Sequence, residues 1–196
     1  MEEKLQTDQE IVQHSLIEKE SFAELITRYE QKLRRYVARL GVRTKDDQDD
    51  VLQNTFLKVY RNLNSYDPDL PFSSWVYRIA RNEAISWYRH QRVRPEGYVV
   101  ADSDEILALV AETVDSPEVV FDQALAATEV SRAVAGLEEK YRAVIILRYF
   151  EHKEYDEISD IMQIPLGSVG TLLYRGKKKL ATVLKSFTMR SNEYTP

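Results

Sequence analysis

Apolar residues recur at three- and four-residue spacing through almost every stretch of this chain, and strand-like alternation persists nowhere. That period lines one stripe of a helix, so the chain is confined to packing helices against helices. Six glycines and six prolines among 196 residues leave room for long helices. The fold predicted is all-α, two small helical domains joined by an acidic linker. Cysteine is absent, which excludes disulfides, zinc–thiolate sites and thiol redox sensing. His14, His90 and His152 are too scattered for metal-ligand spacing. No apolar run approaches a membrane span, and the acidic opening MEEKLQTDQE is unlike a signal peptide. A cytoplasmic location is expected.

The net charge of −5 hides an uneven distribution. Residues 1–94 carry 16 Lys and Arg against 15 Asp and Glu. Residues 95–131 carry no Lys or Arg and nine Asp and Glu, and residues 132–196 carry 11 against 8. The acidity sits between two near-neutral or basic ends, so the overall charge does not argue against a nucleic-acid partner. The domains expected are 1–95, a linker over 96–131 that is partly helical, and 132–196.

Gln9 to Glu18 reads as a short first helix. Ser21 with Glu24 has the pattern of a capping box for a second, which ends at Gly41. A third opens on the carboxylates DDQDD and runs to about Leu63, with Val51 or Leu52, Phe56, Val59, Tyr60 and Leu63 inward. Asp50, Gln53, Asn54 and Lys58 form its polar surface. The cluster Asp46, Asp47, Asp49 and Asp50 lacks the glycine and ligand spacing of a calcium loop, so no metal is expected. Asn64 to Pro71 is loop, and it leads into FSSWVYRIARNEAISWYRHQRVR, Phe72 to Arg94.

On a helical wheel this last stretch divides into two faces. Phe72, Val76, Ile79, Ala80 and Trp87 form a core stripe. Arg78, Asn82, Arg89 and Arg92 form a row opposite, flanked by Trp75, Arg81, Ile85 and Tyr88. Cations mixed with aromatic rings suit a surface that neutralises phosphates and stacks bases. An arginine-rich amphipathic helix with core rings is the plainer reading of the same residues. Glu83 falls near the middle of the apolar face, with no reason visible in the sequence.

Beyond the acidic stretch 96–115, Pro117 is expected to start a helix through Val134. LEEKYRAVIILRYF is apolar on nearly every side and reads as a buried helix. The turn EHKE precedes a short helix, YDEISDIM, with Tyr155, Ile158, Ile161 and Met162 inward. The turn QIPLG follows, and Ser168 begins a third helix to about Lys185. Its outward residues are Ser168, Thr171, Tyr174, Arg175, Lys178, Thr182 and Lys185. A short helix, a tight turn and a longer helix with a polar, basic face make a helix-turn-helix sized for the major groove. A three-helix bundle with a solvated lysine face is the alternative.

With both modules in view, the chain resembles the extracytoplasmic-function sigma factors of bacterial RNA polymerase from Ser21 to Leu184. DVLQNTFLKVYRNL, PFSSWVYRIARN and IPLGSV, in this order, carry the resemblance. It implies an alternative sigma factor that binds core RNA polymerase through its clamp helices and flap. Asp50, Gln53 and Asn54 would dock on the polymerase. Asn64, Ser65 and Tyr66 would capture an unstacked base of the −10 element. Trp75, Arg78, Arg81 and Asn82 would bind the single strand beside it, and Arg89 and Arg92 would hold duplex phosphates. Ser168, Thr171, Tyr174 and Arg175 would enter the −35 major groove of double-stranded DNA, with Lys177, Lys178 and Lys179 near phosphates. An anti-sigma factor is an implied partner, and no cofactor or catalytic residue is implied. Relatives commonly carry cations where this chain has Gly170 and Leu172, and glutamate where it has Asn54. A helix-turn-helix regulator acting without polymerase is the alternative function.

Overall fold

The computed structural model describes residues 6–93 and 130–192, and side chains through residue 91 and from 130 to 184. The acidic stretch 96–115, the helix expected from Pro117 as far as residue 129, and Arg94 lie outside the described residues. So do the side chains of Arg92 and Lys185.

Helix α1, Asp8–Ile17, begins at a capping box in which Thr7 accepts from the Glu10 N–H at 3.3 Å. The Glu10 carboxylate accepts the Thr7 N–H at 2.6 Å. The box expected at Ser21 does not form. Ser21 ends a 3-10 turn, Lys19–Ser21, already in helical conformation, so its hydroxyl cannot take the non-helical capping position. Glu24 pairs with Arg28 instead, at 2.9 Å. Helix α2, Phe22–Leu40, buries Leu25, Tyr29, Leu33, Tyr36 and Val37. Gly41 ends it at φ +114°, and a Cβ there would lie 1.9 Å from the Tyr88 hydroxyl. The left-handed backbone and this close approach both favour glycine.

Thr44 caps α3, Lys45–Arg61, by accepting the Asp47 N–H at 3.2 Å. Gln48 is buried because its amide donates to the Val42 carbonyl at 3.0 Å and the Arg43 carbonyl at 3.2 Å. Val51, Leu52, Val59 and Leu63 are inward as predicted. Tyr60 is 36% exposed, its ring resting on Phe22 at the edge of the core. A second 3-10 turn, Leu63–Ser65, precedes the loop to α4, Phe72–Val93.

Residues 130–135 are helical. Then come α5, Glu139–Tyr149, α6, Tyr155–Met162, and α7, Leu166–Asn192. Helix α5 buries Tyr141 and Ala143 to Leu147, as its all-round apolar sequence predicts. Gln163 makes the α6–α7 turn at φ +54°, so α7 starts at Leu166, directly after Pro165, rather than at Ser168. Helix α7 also runs seven residues past Lys185. Tyr155, expected inward, is 44% exposed and lies under the Arg148 guanidinium. Close packing of α7 on α5 occurs at Gly176, where a Cβ would stand 3.2 Å from Ile145. Helix α4 also packs on α6, and α2 on α5, so buried residues of both helix groups join in one apolar cluster.

Candidate nucleic-acid interface

Helix α4 sorts its residues much as the wheel predicts, with two corrections. Phe72, Val76 and Ala80 are buried, and Ile79 and Trp87 pack against the core while partly exposed. Trp75, placed by the wheel beside the polar row, is only 9% exposed. Its ring lies 5.4 Å from Tyr66 and 5.8 Å from Phe72, and Phe72 meets Tyr29 edge-on at 5.5 Å. Tyr66 is likewise buried, and its hydroxyl donates to the Leu70 carbonyl at 2.5 Å. The loop thus folds back on α4 through these rings, which removes both Trp75 and Tyr66 from an open base-stacking surface. Asn64 and Ser65 remain exposed at the start of that loop.

The basic row begins at Arg78 and Arg81, both partly buried. Arg78 pairs with Asp160 of α6 at 2.8 Å, and Arg81 with Glu139 of α5 at 2.5 Å. Asn82 and Arg89 are exposed, and Arg92 lies in the last turn of α4. Tyr88, expected to flank the row, instead donates to the Leu40 carbonyl at 3.2 Å. Trp87 donates its indole N–H to Asp47 at 3.0 Å. Glu83 finds its partner on another helix, Lys58 of α3.

Tyr77 was not singled out by its sequence position, yet it is buried, 4.9 Å from the Tyr36 ring, and its hydroxyl donates to Glu151 at 2.7 Å. Burial, then the charge and hydrogen bond of Glu151, push that hydroxyl's pKa far above the ordinary tyrosine value. On the wheel it falls outside the core stripe, beyond Ala80, so the local pattern does not mark it as buried.

On α7, Thr171, Tyr174, Arg175, Lys177 and Lys178 are exposed, Tyr174 at 67%. Ser168 is half-buried near the helix start. Lys179 is held by Glu138 at 2.5 Å and stands over the Tyr141 ring. A Cβ at Gly170 would stand 3.8 Å from the edge of the Tyr155 ring, an ordinary contact, and Leu172 packs against the core. On α3, Asp50, Gln53 and Asn54 share an exposed face with Leu57.

Residues 25–94 match sigma-70 region 2, and residues 127–180 match sigma-70 region 4. Over 174 residues the chain is 30% identical to the ECF RNA polymerase sigma factor SigW of Bacillus subtilis, covering 86% of this chain and 91% of that relative. The chain belongs to the extracytoplasmic-function sigma factors. It is 32% identical over 184 residues to the ECF RNA polymerase sigma-E factor of Escherichia coli, covering 89% and 92% of the two chains. Among solved structures, CnrH in complex with the cytosolic domain of CnrY superposes with a TM-score of 0.67 at 21% identity, covering 91% of this chain and 97% of that one. The sigma factor RpoE of Bartonella quintana, in complex with the anti-sigma factor NepR, gives 0.63 at 21%, covering 84% and 96%. These two share the fold.

As an alternative sigma factor the protein works with core RNA polymerase to direct promoter-specific transcription initiation. The basic face of α4 lies within the region 2 match, and α7 begins within the region 4 match. No helix among the described residues is long and apolar enough to cross a membrane.

Proposed function

We propose that residues 1–95 of this sigma factor recognise and open the −10 element and that residues 132–196 read the −35 element, with residues 96–131 spanning between them in the cytoplasm. The observation that carries the reading is the pairing of two basic surfaces on separate helices. One is Arg78, Arg81, Asn82 and Arg89 on α4, with Asn64 and Ser65 exposed in the preceding loop; the other is Thr171, Tyr174, Arg175, Lys177 and Lys178 on α7. A helix with an exposed polar and basic row fits the major groove, where arginine reads guanine edges and threonine reads either edge or a methyl group. Ser168 stands at its start, and Lys179 reaches phosphate once released from Glu138.

Strand opening on the α4 side needs no catalytic group. Each base taken out of the stack costs a few kcal/mol, which pocket contacts and phosphate neutralisation offset. The amide and hydroxyl of Asn64 and Ser65 are suited to a flipped base, and Arg78, Arg81 and Asn82 to the strand. Arg89 and Arg92 then hold the flanking duplex. Trp75 and Tyr66 act from beneath, fixing the loop. Asp50, Gln53 and Asn54 form the docking face for the polymerase clamp helices, the C-terminal helices meet its flap, and the polymerase supplies all of the chemistry. The solved complexes of CnrH with CnrY and of RpoE with NepR support an anti-sigma protein as a further partner here.

Permanganate footprinting of promoters bound by the reconstituted holoenzyme tests the assignment. Arg78→Ala with Arg81→Ala should leave co-elution with core polymerase unchanged and reduce thymine reactivity in the −10 element about tenfold or more, as loss of two charged contacts predicts. Unchanged reactivity would remove both arginines from strand opening.

A further inference from the structure

Helix α1 lies ahead of the region 2 match, which begins at residue 25, yet its first turn reaches the loop that holds Asn64 and Ser65. The Gln9 side-chain amide donates to the Pro68 carbonyl at 2.6 Å, across 59 positions of sequence. Pro68 is the second residue of a turn closed by the Leu70 N–H on the Asp67 carbonyl at 3.1 Å. Proline presets the backbone at that place in a turn. The turn's own hydrogen bond uses the Asp67 carbonyl and leaves that of Pro68 to an outside donor.

Asp8, next to Gln9 on α1, ties the same turn of helix to the floor of the loop. Its carboxylate accepts from Arg28 at 2.7 Å and from the Tyr29 hydroxyl. The Tyr29 ring meets Phe72 edge-on, and Phe72 meets Tyr66 edge-on at 5.4 Å. The capping box of Thr7 and Glu10 fixes the backbone on which Asp8 and Gln9 stand. Burial first, then the charge of Asp8, raise the Tyr66 pKa, and the Gln9 amide acts on that hydroxyl in the opposite sense. One turn of α1 therefore holds the loop at its rim, through Pro68, and at its floor, through Tyr29.

We propose that Gln9 is a positioning residue for base selection, holding the loop in the shape in which Asn64 and Ser65 accept a particular base of the −10 element. The inference rests on the assignment of Asn64 and Ser65 to the flipped base. The loop's other polar ties are internal: the Tyr66 hydroxyl on the Leu70 carbonyl, and the Asp69 N–H on the Asp67 carboxylate at 3.0 Å. Those bonds keep the turn together, whereas Gln9 ties it to a separate helix. Selection among bases depends on donors and acceptors standing where only one base edge matches them. Freed from Gln9, the loop takes further shapes that admit any base, so the matching base loses the most binding.

The test uses holoenzyme reconstituted from core polymerase and the full chain. Fork-junction DNA with a randomised single-stranded −10 segment is bound to it, and the retained strands are sequenced. Asn64→Ala with Ser65→Ala locates the position whose base preference those two residues set. Gln9→Glu keeps the shape of the side chain but cannot donate, and Gln9→Ala removes it without adding charge. Gln9 is exposed, so neither change opens a cavity. Both should compress the preference at that one position about fivefold, the size expected of a single hydrogen bond, and leave the other positions as they were. A protein merely less stable would retain less DNA with every preference intact, so unchanged ratios overturn the positioning role. Equal compression at every position overturns it as well. If the paired Asn64 and Ser65 variant alters no position, the capture assignment falls and the positioning role with it. If it alters one that the Gln9 variants leave intact, only the positioning role falls.

Discussion

Trp75 sits where the wheel of α4 passes from apolar to polar, and only its neighbours decide which side it takes. Tyr66 and Phe72 supply two ring faces within 6 Å, and the loop that brings Tyr66 there is held shut by its hydroxyl on the Leu70 carbonyl. A wheel sees one helix at a time, so it cannot register a ring delivered from a preceding loop. Glu83 is the same case in reverse. It looks misplaced on α4 alone, but Lys58 arrives from 25 residues earlier and pairs with it. Trp75→Ala is therefore expected to act as a core truncation, destabilising the protein by about 3–5 kcal/mol in denaturant unfolding. Trp75→Phe, which keeps a ring against Tyr66, should recover a large part of that loss. A Trp75→Ala protein as stable as its parent would return the residue to the exposed surface.

Among the elements, the helices of the described residues were legible in kind because each carries a persistent apolar period, and α6 matches YDEISDIM throughout. Their ends were less legible. The α6–α7 turn depends on Gln163 adopting a left-handed backbone, a conformation that QIPLG does not announce at that residue. Ser21 has the right residue type for a cap but sits in a 3-10 turn that continues into α2. On α7, Leu172 packs inward and a Cβ at Gly170 would make only ordinary contact with the Tyr155 ring. Under the proposed assignment, the exposed residues of α7 would divide the work of −35 binding. Arg175→Ala should cost about 1–3 kcal/mol at a cognate −35 element and relax sequence preference there. Lys178→Ala should weaken all sequences alike and reduce the slope of log affinity against log salt by about one. Binding isotherms of the holoenzyme at several salt concentrations separate the two outcomes, and equal slopes for parent and Lys178→Ala would exclude a phosphate contact.

At the scale of the whole molecule, the decisive contacts join residues that no local pattern relates. Arg81 meets Glu139 across 58 positions, and Arg39 meets Glu151 across 112. Composition shows an acidic middle between a near-neutral and a basic end, but it cannot show acids of one helix group facing cations of the other. Those ionised contacts should make the packing of the two helix groups dependent on pH, and Glu157 sets the direction. Burial alone would raise its pKa, but the Lys153 hydrogen bond, the Glu154 N–H, the Lys153 charge and Ser73 outweigh burial and hold it below the ordinary glutamate value. The groups facing it are Lys153 and the Glu154 N–H on its own side, and Ser73 and Ser74 of α4. The Arg78–Asp160 and Arg39–Glu151 pairs lie in the same interface. A carboxyl with a lowered folded pKa stabilises this packing above its unfolded pKa and loses that contribution as pH falls through the folded value. Energy transfer between dyes on introduced cysteines at two exposed positions, Glu20→Cys and Ala181→Cys, should therefore drop below about pH 4, while far-ultraviolet circular dichroism still reports intact helices. In Glu157→Gln, which keeps the shape but cannot titrate, transfer should start lower at neutral pH and the acid transition should flatten. Helix melting coincident with the loss of transfer, or an unaltered transition in Glu157→Gln, would show that the packing of the helix groups is governed by other residues.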